Sequence, residues 1–87
     1  MTYFTAGLPD AARPRLEEAL SVQRGAHDDK GQADTLWALA RTLVASGDND
    51  RARSRLEEAA TIFGARGDPA EGAVRAGIAD LEKGRTA

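Results

Sequence analysis

The feature that most constrains this chain is a segment that occurs twice. Residues 13–20 read Arg-Pro-Arg-Leu-Glu-Glu-Ala-Leu, and residues 53–60, forty positions later, read Arg-Ser-Arg-Leu-Glu-Glu-Ala-Ala. An internal period of this length is typical of helical repeat proteins, in which short helical units stack side by side. The repeat therefore predicts an all-α fold. It predicts function only broadly, because the exposed surface of such a stack selects its partners.

The length of the chain sets its domain organisation. With 87 residues, the chain supports one small domain that buries about two thirds of the surface of its unfolded state. We expect a single domain over residues 1–87, with a partly ordered segment at 1–9 and a disordered tail at 85–87.

Charge and cysteine content exclude several classes of partner and chemistry. The formal net charge is −2 and cysteine is absent, so the chain lacks the positive excess that nucleic acids and anionic membranes attract, and it forms no disulfide. No apolar run reaches the roughly 20 residues that span a bilayer. We expect no nucleic-acid partner, no membrane partner and a cytoplasmic location.

Capping residues divide the chain into helices. Either Asp28 or Asp29 is suited to cap the second helix, and Asp68 with Pro69 and Glu71 forms a strong start signal for the fourth. The spacing of apolar residues between these signals predicts four helices, at about 10–24, 29–46, 49–64 and 69–84.

Two local features qualify this assignment. Pro14 lies early in the first helix and lacks a backbone donor, so we expect a bent first turn or a helix start moved to Ala11. The link at 47–50, Gly-Asp-Asn-Asp, is only four residues long. Because so short a link joins neighbouring helices, the second and third helices are predicted to run antiparallel.

The apolar positions of the second and third helices alternate between large and small side chains. Small residues on one helix let the large residues of its neighbour approach closely. These positions are Leu36, Leu39, Ala40 and Leu43 on the second helix, then Ala52, Leu56 and Ala59 on the third, and they flank the Gly47-Asp48 turn. The pattern resembles one complete tetratricopeptide repeat.

The resemblance extends over nearly the whole chain. Residues 7–24 resemble the second helix of a preceding repeat, and residues 68–84 resemble the first helix of a following one. Repeats of this length with Gly-Asp-rich links resemble those appended to bacterial transcription regulators and signalling ATPases. The chain departs from the pattern at Gly77, which replaces a large core residue, and at the aromatic Phe63, which lies at the end of the third helix.

The resemblance implies a function and a site. First-type helices of such repeats line a concave groove that binds a protein or peptide segment, which here suits a ligand with one apolar side chain and one carboxylate. The implied contact residues are Asp34, Trp37, Arg41 and Val44 on the second helix, with Arg75, Glu82 and Lys83 on the fourth. For Trp37 a place in the core is equally open, and Val44 is expected in the core more than in contact with a ligand.

A second interpretation is structural. The chain begins on a second-type helix and ends on a first-type helix, so both ends resemble half repeats without partners. Either the chain is a piece of a longer array, or two copies associate into a homodimer through these ends. Association would bury Leu8, Leu16, Ile78 or Leu81 against another chain.

Catalysis is not expected. His27, Asp28 and Asp29 are adjacent in a link and do not form a set of metal ligands. Arg51, Arg53 and Arg55 form the only local basic cluster, for which surface pairing is favoured over anion binding. The sequence therefore predicts a non-enzymatic protein without metal or cofactor.

Overall fold

The computed structural model describes residues 8–86 of the chain, with side chains described for residues 11–83. Four α-helices follow one another, and no strand occurs among the described residues. They are α1 (Leu8–Gly25), α2 (Asp29–Ala45), α3 (Asn49–Ala65) and α4 (Ala70–Thr86). The predicted all-α fold is confirmed. The helix bounds agree with the predicted ones to within two residues, which is the usual scatter at helix ends.

The three links between the helices share one construction. Each preceding helix is followed by a residue with a left-handed backbone, and an aspartate comes next. The left-handed residues are His27 (φ 57°), Gly47 (φ 83°) and Gly67 (φ 68°). The aspartates are Asp28, Asp48 and Asp68, at intervals of twenty positions. Since glycine adopts positive φ without steric cost, two of the three links use the residue that the geometry favours.

Each of these aspartates serves two helices. The backbone N–H of Asp48 donates to the carbonyl of Leu43 (2.8 Å) and closes the end of α2. Its Oδ1 accepts from the N–H of Arg51 (3.3 Å) in the first turn of α3. The other two links repeat the pattern, with Asp28 joined to Gln23 O and Gly31 N, and Asp68 to Phe63 O and Ala70 N. Both the last carbonyls of one helix and the first amides of the next are thereby satisfied.

The ends of three helices add to what the sequence predicted. One alternative is decided, and two expectations are not met. Asp28, rather than Asp29, caps α2. The Glu71 carboxylate accepts from Arg75 Nε (2.8 Å) one turn further along α4, where a capping role was expected. Pro14 lies inside α1, which begins at Leu8 instead of being displaced to Ala11; α1 thus proceeds without the hydrogen bond that the nitrogen of Pro14 is unable to donate.

At the other end of the chain, α4 continues to Thr86. Helical backbone therefore includes Gly84, where the helix was expected to end, and residues 85 and 86 of the expected tail. The expectations for residues 1–7 and for Ala87 lie outside the described residues.

One apolar core runs through the stack. Its buried members are Leu20, Ala33, Leu36, Leu39, Ala40, Leu43, Ala52, Leu56, Ala59, Ala60, Phe63 and Val74. The predicted apolar stripes of α2 and α3 are buried at every position. On α4, Val74 is buried, while Ile78 and Leu81 are only partly covered and pack against the core.

The helices pack in chain order: α1 on α2, α2 on α3, and α3 on α4. Ion pairs between helices supplement the apolar contacts. Arg24 Nη2 lies 3.0 Å from Glu58 Oε2 between α1 and α3, and Arg53 Nη2 lies 2.9 Å from Glu82 Oε2 between α3 and α4. Grooves lie between helices that are two apart in the chain. One groove lies between α2 and α4, and the other lies between α1 and α3.

Candidate functional site

The groove between α2 and α4 contains an open pocket of about 200 Å³. Helices α2 and α4 form its walls, and α3 contributes to its floor. The lining residues are Trp37, Ala40, Arg41, Val44, Leu56, Gly77 and Leu81. Most of these side chains are apolar, so the pocket offers hydrophobic contact area with one cationic group beside it.

Trp37 joins the core to the groove. Its ring packs edge-to-face on Phe63 of α3, with the ring centroids 6.0 Å apart and an interplanar angle of 77°. The guanidinium carbon of Arg41 lies 5.5 Å from the centroid of the same indole, within the range of a cation–π contact. Trp37 is therefore half-buried as both a packing residue and part of the pocket lining, which reconciles the two roles that the sequence left open.

Val44 lies on the groove surface. Its side chain is 42% exposed, so the expectation that it belongs to the core was wrong. It stands one turn after Ala40 and Arg41 on α2 and continues the apolar lining toward the end of that helix.

On the α4 side of the pocket, Gly77 contributes no side chain to the wall. A Cβ at this position would lie 3.6 Å from Leu56 Cδ1, which is an ordinary van der Waals contact. A larger side chain would extend further over the floor of the pocket. The departure from the repeat pattern at Gly77 thus leaves space above Leu56 in the groove.

The remaining predicted contact residues do not line this pocket. On α2, Asp34 Oδ2 lies 3.2 Å from Lys30 Nζ. On α4, Arg75 Nη2 lies 2.8 Å from Glu71 Oε2, while Glu82 pairs with Arg53 of α3. Lys83 is exposed near the end of α4. The structure therefore brings together Trp37, Arg41 and Val44 of the predicted set, and a role for the other four stays a prediction.

Sequence reasoning missed the α4 side of the pocket. Gly77 and Leu81 line it, and Leu56 lies at its floor. One signal was present: at a spacing of thirty-eight residues, Gly77 corresponds to the core residue Leu39, and a missing side chain at that place indicates an opening.

Two other kinds of feature are absent from the described part of the chain. Residues 8–86 contain no helix that is long and apolar enough to cross a membrane. The same part of the chain has no group of three or more His, Asp or Glu residues arranged to hold a metal ion.

A stack of antiparallel helical hairpins with an open groove defines a helical repeat protein. The family model for the tetratricopeptide repeat matches residues 1–65, and the chain belongs to this family, whose members are protein–protein interaction modules. The match ends with α3, so the assignment of α4 as a first-type helix depends on its packing. Comparisons with curated proteins and with solved structures found no match.

Proposed function

We propose that the groove between α2 and α4 binds an extended or helical segment of another protein. Arg41 pairs with a carboxylate of that segment, and Trp37 packs on an apolar side chain. The observation that carries this proposal is the Arg41 guanidinium held 5.5 Å from the Trp37 ring at the edge of an open, mainly apolar pocket. Interfaces derive much of their binding energy from Trp and Arg in such settings.

The exposure of Arg41 supports this function. Arg41 is exposed and Trp37 is half-exposed, as a groove that binds a partner requires. Leu16, Ile78 and Leu81, which were expected at a homodimer interface, are partly buried like Trp37 and pack with it against the protein's own core. The side chain of Leu8 lies outside the described residues.

The finer parts of the proposal follow from the same resemblance. A longer bound segment would extend beyond the pocket to Asp34, Arg75, Glu82 and Lys83. The long repeats and Gly-Asp links favour a bacterial, cytoplasmic regulatory protein as the context of the module. Its role there is binding without catalysis or a cofactor.

The test begins with selection of peptides from a random displayed library on the purified protein. Trp37 is the only tryptophan, so its fluorescence reports occupancy of the groove directly. We expect enriched peptides that combine an acidic residue with an apolar one, and a saturable change in Trp37 emission when they are titrated.

Three variants locate the binding site. Arg41→Ala is expected to weaken binding about thirtyfold, which corresponds to about 2 kcal/mol. Gly77→Leu is expected to block the pocket while leaving α4 folded. Arg66→Ala is the control, because Arg66 is an exposed arginine at the end of α3 and away from the pocket lining. Equal affinity of the Arg41→Ala and Arg66→Ala proteins would contradict the proposal.

The homodimer alternative is tested by sedimentation without peptide. A dimer at tens of micromolar, lost in Arg41→Ala or Gly77→Leu, would show that a second copy occupies the groove. A protein that remains a monomer of 9.2 kDa at millimolar concentration would exclude self-association as the function.

A further inference from the structure

The groove between α1 and α3 contains a second pocket with a different chemical character. Its volume is about 240 Å³. Its walls come from α1 and α3, and α2 contributes to the floor. The lining residues are Arg13 and Glu17 of α1, Leu43 of α2, and Arg51, Ser54 and Arg55 of α3. The two pockets share no lining residue and lie on different sides of the α2–α3 hairpin.

Neighbouring carboxylates hold the three arginines in place. Arg13 Nε lies 3.4 Å from Glu17 Oε2, and Arg51 Nε lies 3.4 Å from Asp48 Oδ2. Arg55 Nη1 lies 2.8 Å from Glu58 Oε1. Each of these pairs joins a carboxylate to a guanidinium group, which has five N–H donors in a fixed planar arrangement. A bidentate carboxylate accepts from two of these donors, which leaves the other donors of the group for a second acceptor.

The charge of the lining favours an anion. Three guanidinium groups and one carboxylate, that of Glu17, line the pocket. Asp48 and Glu58, which pair with Arg51 and Arg55 from outside the lining, offset part of this positive charge. The partner of Arg55 is also shared, because Glu58 accepts from Arg24 of α1 as well (3.0 Å). The hydroxyl of Ser54 adds a neutral donor. The side chains of Arg13 and Arg55 are only 34% and 31% exposed, so little of their freedom remains to be lost on binding.

We propose that this pocket binds a phosphate group that carries two negative charges, either as a phosphorylated side chain of a protein or as free inorganic phosphate. Such a group carries a charge of about −1.5 to −2 at neutral pH and presents three acceptor oxygens, which suit the guanidinium and hydroxyl donors of the lining. Arginine binds phosphate through paired N–H groups, and this gives the interaction both strength and orientation.

A nucleic-acid backbone fits this pocket less well. Each of its phosphates carries a single charge, and binding depends on an extended basic surface. The chain as a whole has a net charge of −2, so it has no overall positive excess to attract a nucleic-acid backbone. The inferred ligand is accordingly a single phosphate group, and it does not compete with a peptide in the α2–α4 groove.

The proposal is tested by NMR titration of the ¹⁵N-labelled protein with inorganic phosphate and with N-acetyl phosphoserine amide. Sodium chloride keeps the ionic strength constant. We expect saturable shifts of the amides at 51–55, with a dissociation constant of about 1 to 10 mM. Tighter binding of the phosphoserine compound would identify a protein side chain as the source of the phosphate, and tighter binding of inorganic phosphate would identify the free anion.

Matched variants distinguish phosphate binding in this pocket from a general attraction of phosphate to exposed arginines. Arg51→Gln is expected to weaken binding at least about tenfold, because Arg51 is 63% exposed and its removal does not disturb the core. Arg75→Gln is the control, since Arg75 is also an exposed arginine paired with a carboxylate on its own helix, at 58% exposure. Ser54→Ala provides a second change in the pocket that leaves the charges intact, and it is expected to weaken binding by a smaller factor.

Three results would overturn the proposal. Shifts that grow linearly without saturation would show that the arginines are fully satisfied by their carboxylates. Equal effects of Arg51→Gln and Arg75→Gln would show that the pocket is not the site. Shifts of the same size with sodium chloride alone would show a general salt effect.

Discussion

At the scale of single residues, the first link differs from the other two in its left-handed residue, which is His27 instead of a glycine. It adopts φ 57°, where Gly47 and Gly67 adopt 83° and 68°. A side chain in the left-handed region costs roughly 1–2 kcal/mol because Cβ approaches the following carbonyl oxygen. The first link is therefore built with local strain that the other two avoid.

We predict that His27→Gly increases the free energy of unfolding by about 0.5 to 1 kcal/mol. The relief of strain exceeds the added entropy of glycine in the unfolded chain, which offsets about 0.4–1 kcal/mol. For a domain of this size, the melting temperature should rise by about 2 to 6 °C, as measured by circular dichroism.

Gly47→Ala is the reverse control. A Cβ at Gly47 would meet no atom within 4 Å, so any loss of stability reports the backbone conformation alone. We expect a loss of about 1 kcal/mol. A stability for both variants within about 0.2 kcal/mol of the parent would mean that these positions are not left-handed in solution.

Residue roles were predictable from sequence where they depend on neighbours in the chain. Asp68 was recognised as a capping residue, and Asp28 as one of two candidates with Asp29, because a cap acts within two or three positions. The double role of Trp37 was not decidable, since it depends on Phe63, which approaches from another helix. The pairing of Glu71 with Arg75 competes with capping, and propensities alone do not rank those two outcomes.

At the scale of helices, α2 has the most complete buried face. Leu36, Leu39 and Leu43 are all nearly inaccessible to solvent, and α2 contacts helices on both sides. The amphipathic period of this segment was sufficient to predict its register, because a buried stripe over about three turns, from Ala33 to Leu43, leaves little choice of face.

We predict that Leu39→Ala lowers the free energy of unfolding by about 2 to 5 kcal/mol, since truncation of a buried leucine loses contacts and leaves a cavity. Leu56→Ala should fall in the same range. Urea titration gives the measurement. Val44→Ala on the exposed side of α2 is the control, with an expected loss below about 1 kcal/mol. A melting temperature within a degree of the parent for both leucine variants would show that the register is wrong.

The course of α1 and α4 was less predictable than that of α2. A proline at the position of Pro14 usually marks a boundary, yet α1 continues through it. Glycines at 72, 77 and 84 lower the intrinsic helicity of α4 by up to about 1 kcal/mol each, yet the helix extends to Thr86. In α4, packing of Val74 into the core supplies stability that local propensity does not show.

At the scale of the whole molecule, helix packing follows chain order, so the middle helices have two packed neighbours and the outer ones have one. Stability in such a stack is the sum of each unit and its contacts with adjacent units. Helix α4 buries less apolar surface in the core than α2 does, because Ile78 and Leu81 are only partly covered.

We predict that amide hydrogens of α4 exchange faster than those of α2 and α3. Local opening of an end helix breaks one helix contact, whereas opening of α2 breaks two. Hydrogen exchange measured by mass spectrometry after pepsin digestion resolves the helices. Arg53→Gln should speed exchange in α4 further, because it removes the ion pair with Glu82. Equal protection of α2 and α4 would show that the domain opens only as a single unit.

The α4 wall of the groove was not predictable from sequence because it depends on how that helix is rotated about its axis. Alignment with α2 at a spacing of thirty-eight residues placed Arg75 at the groove, whereas the packed helix presents Gly77 and Leu81 there. Rotation is set by which side chains contact α3. A glycine at the position of a core leucine removes one of the contacts that would have fixed the choice.

The aspartates at 28, 48 and 68 also bear on how the chain finds its structure. Each one joins two helices that are adjacent in sequence, so the interactions that define the stack arise between segments close together along the chain. Low contact order of this kind is associated with folding in microseconds to milliseconds, because only short loops close before contacts form. Folding is able to begin at any of the three links and spread in either direction.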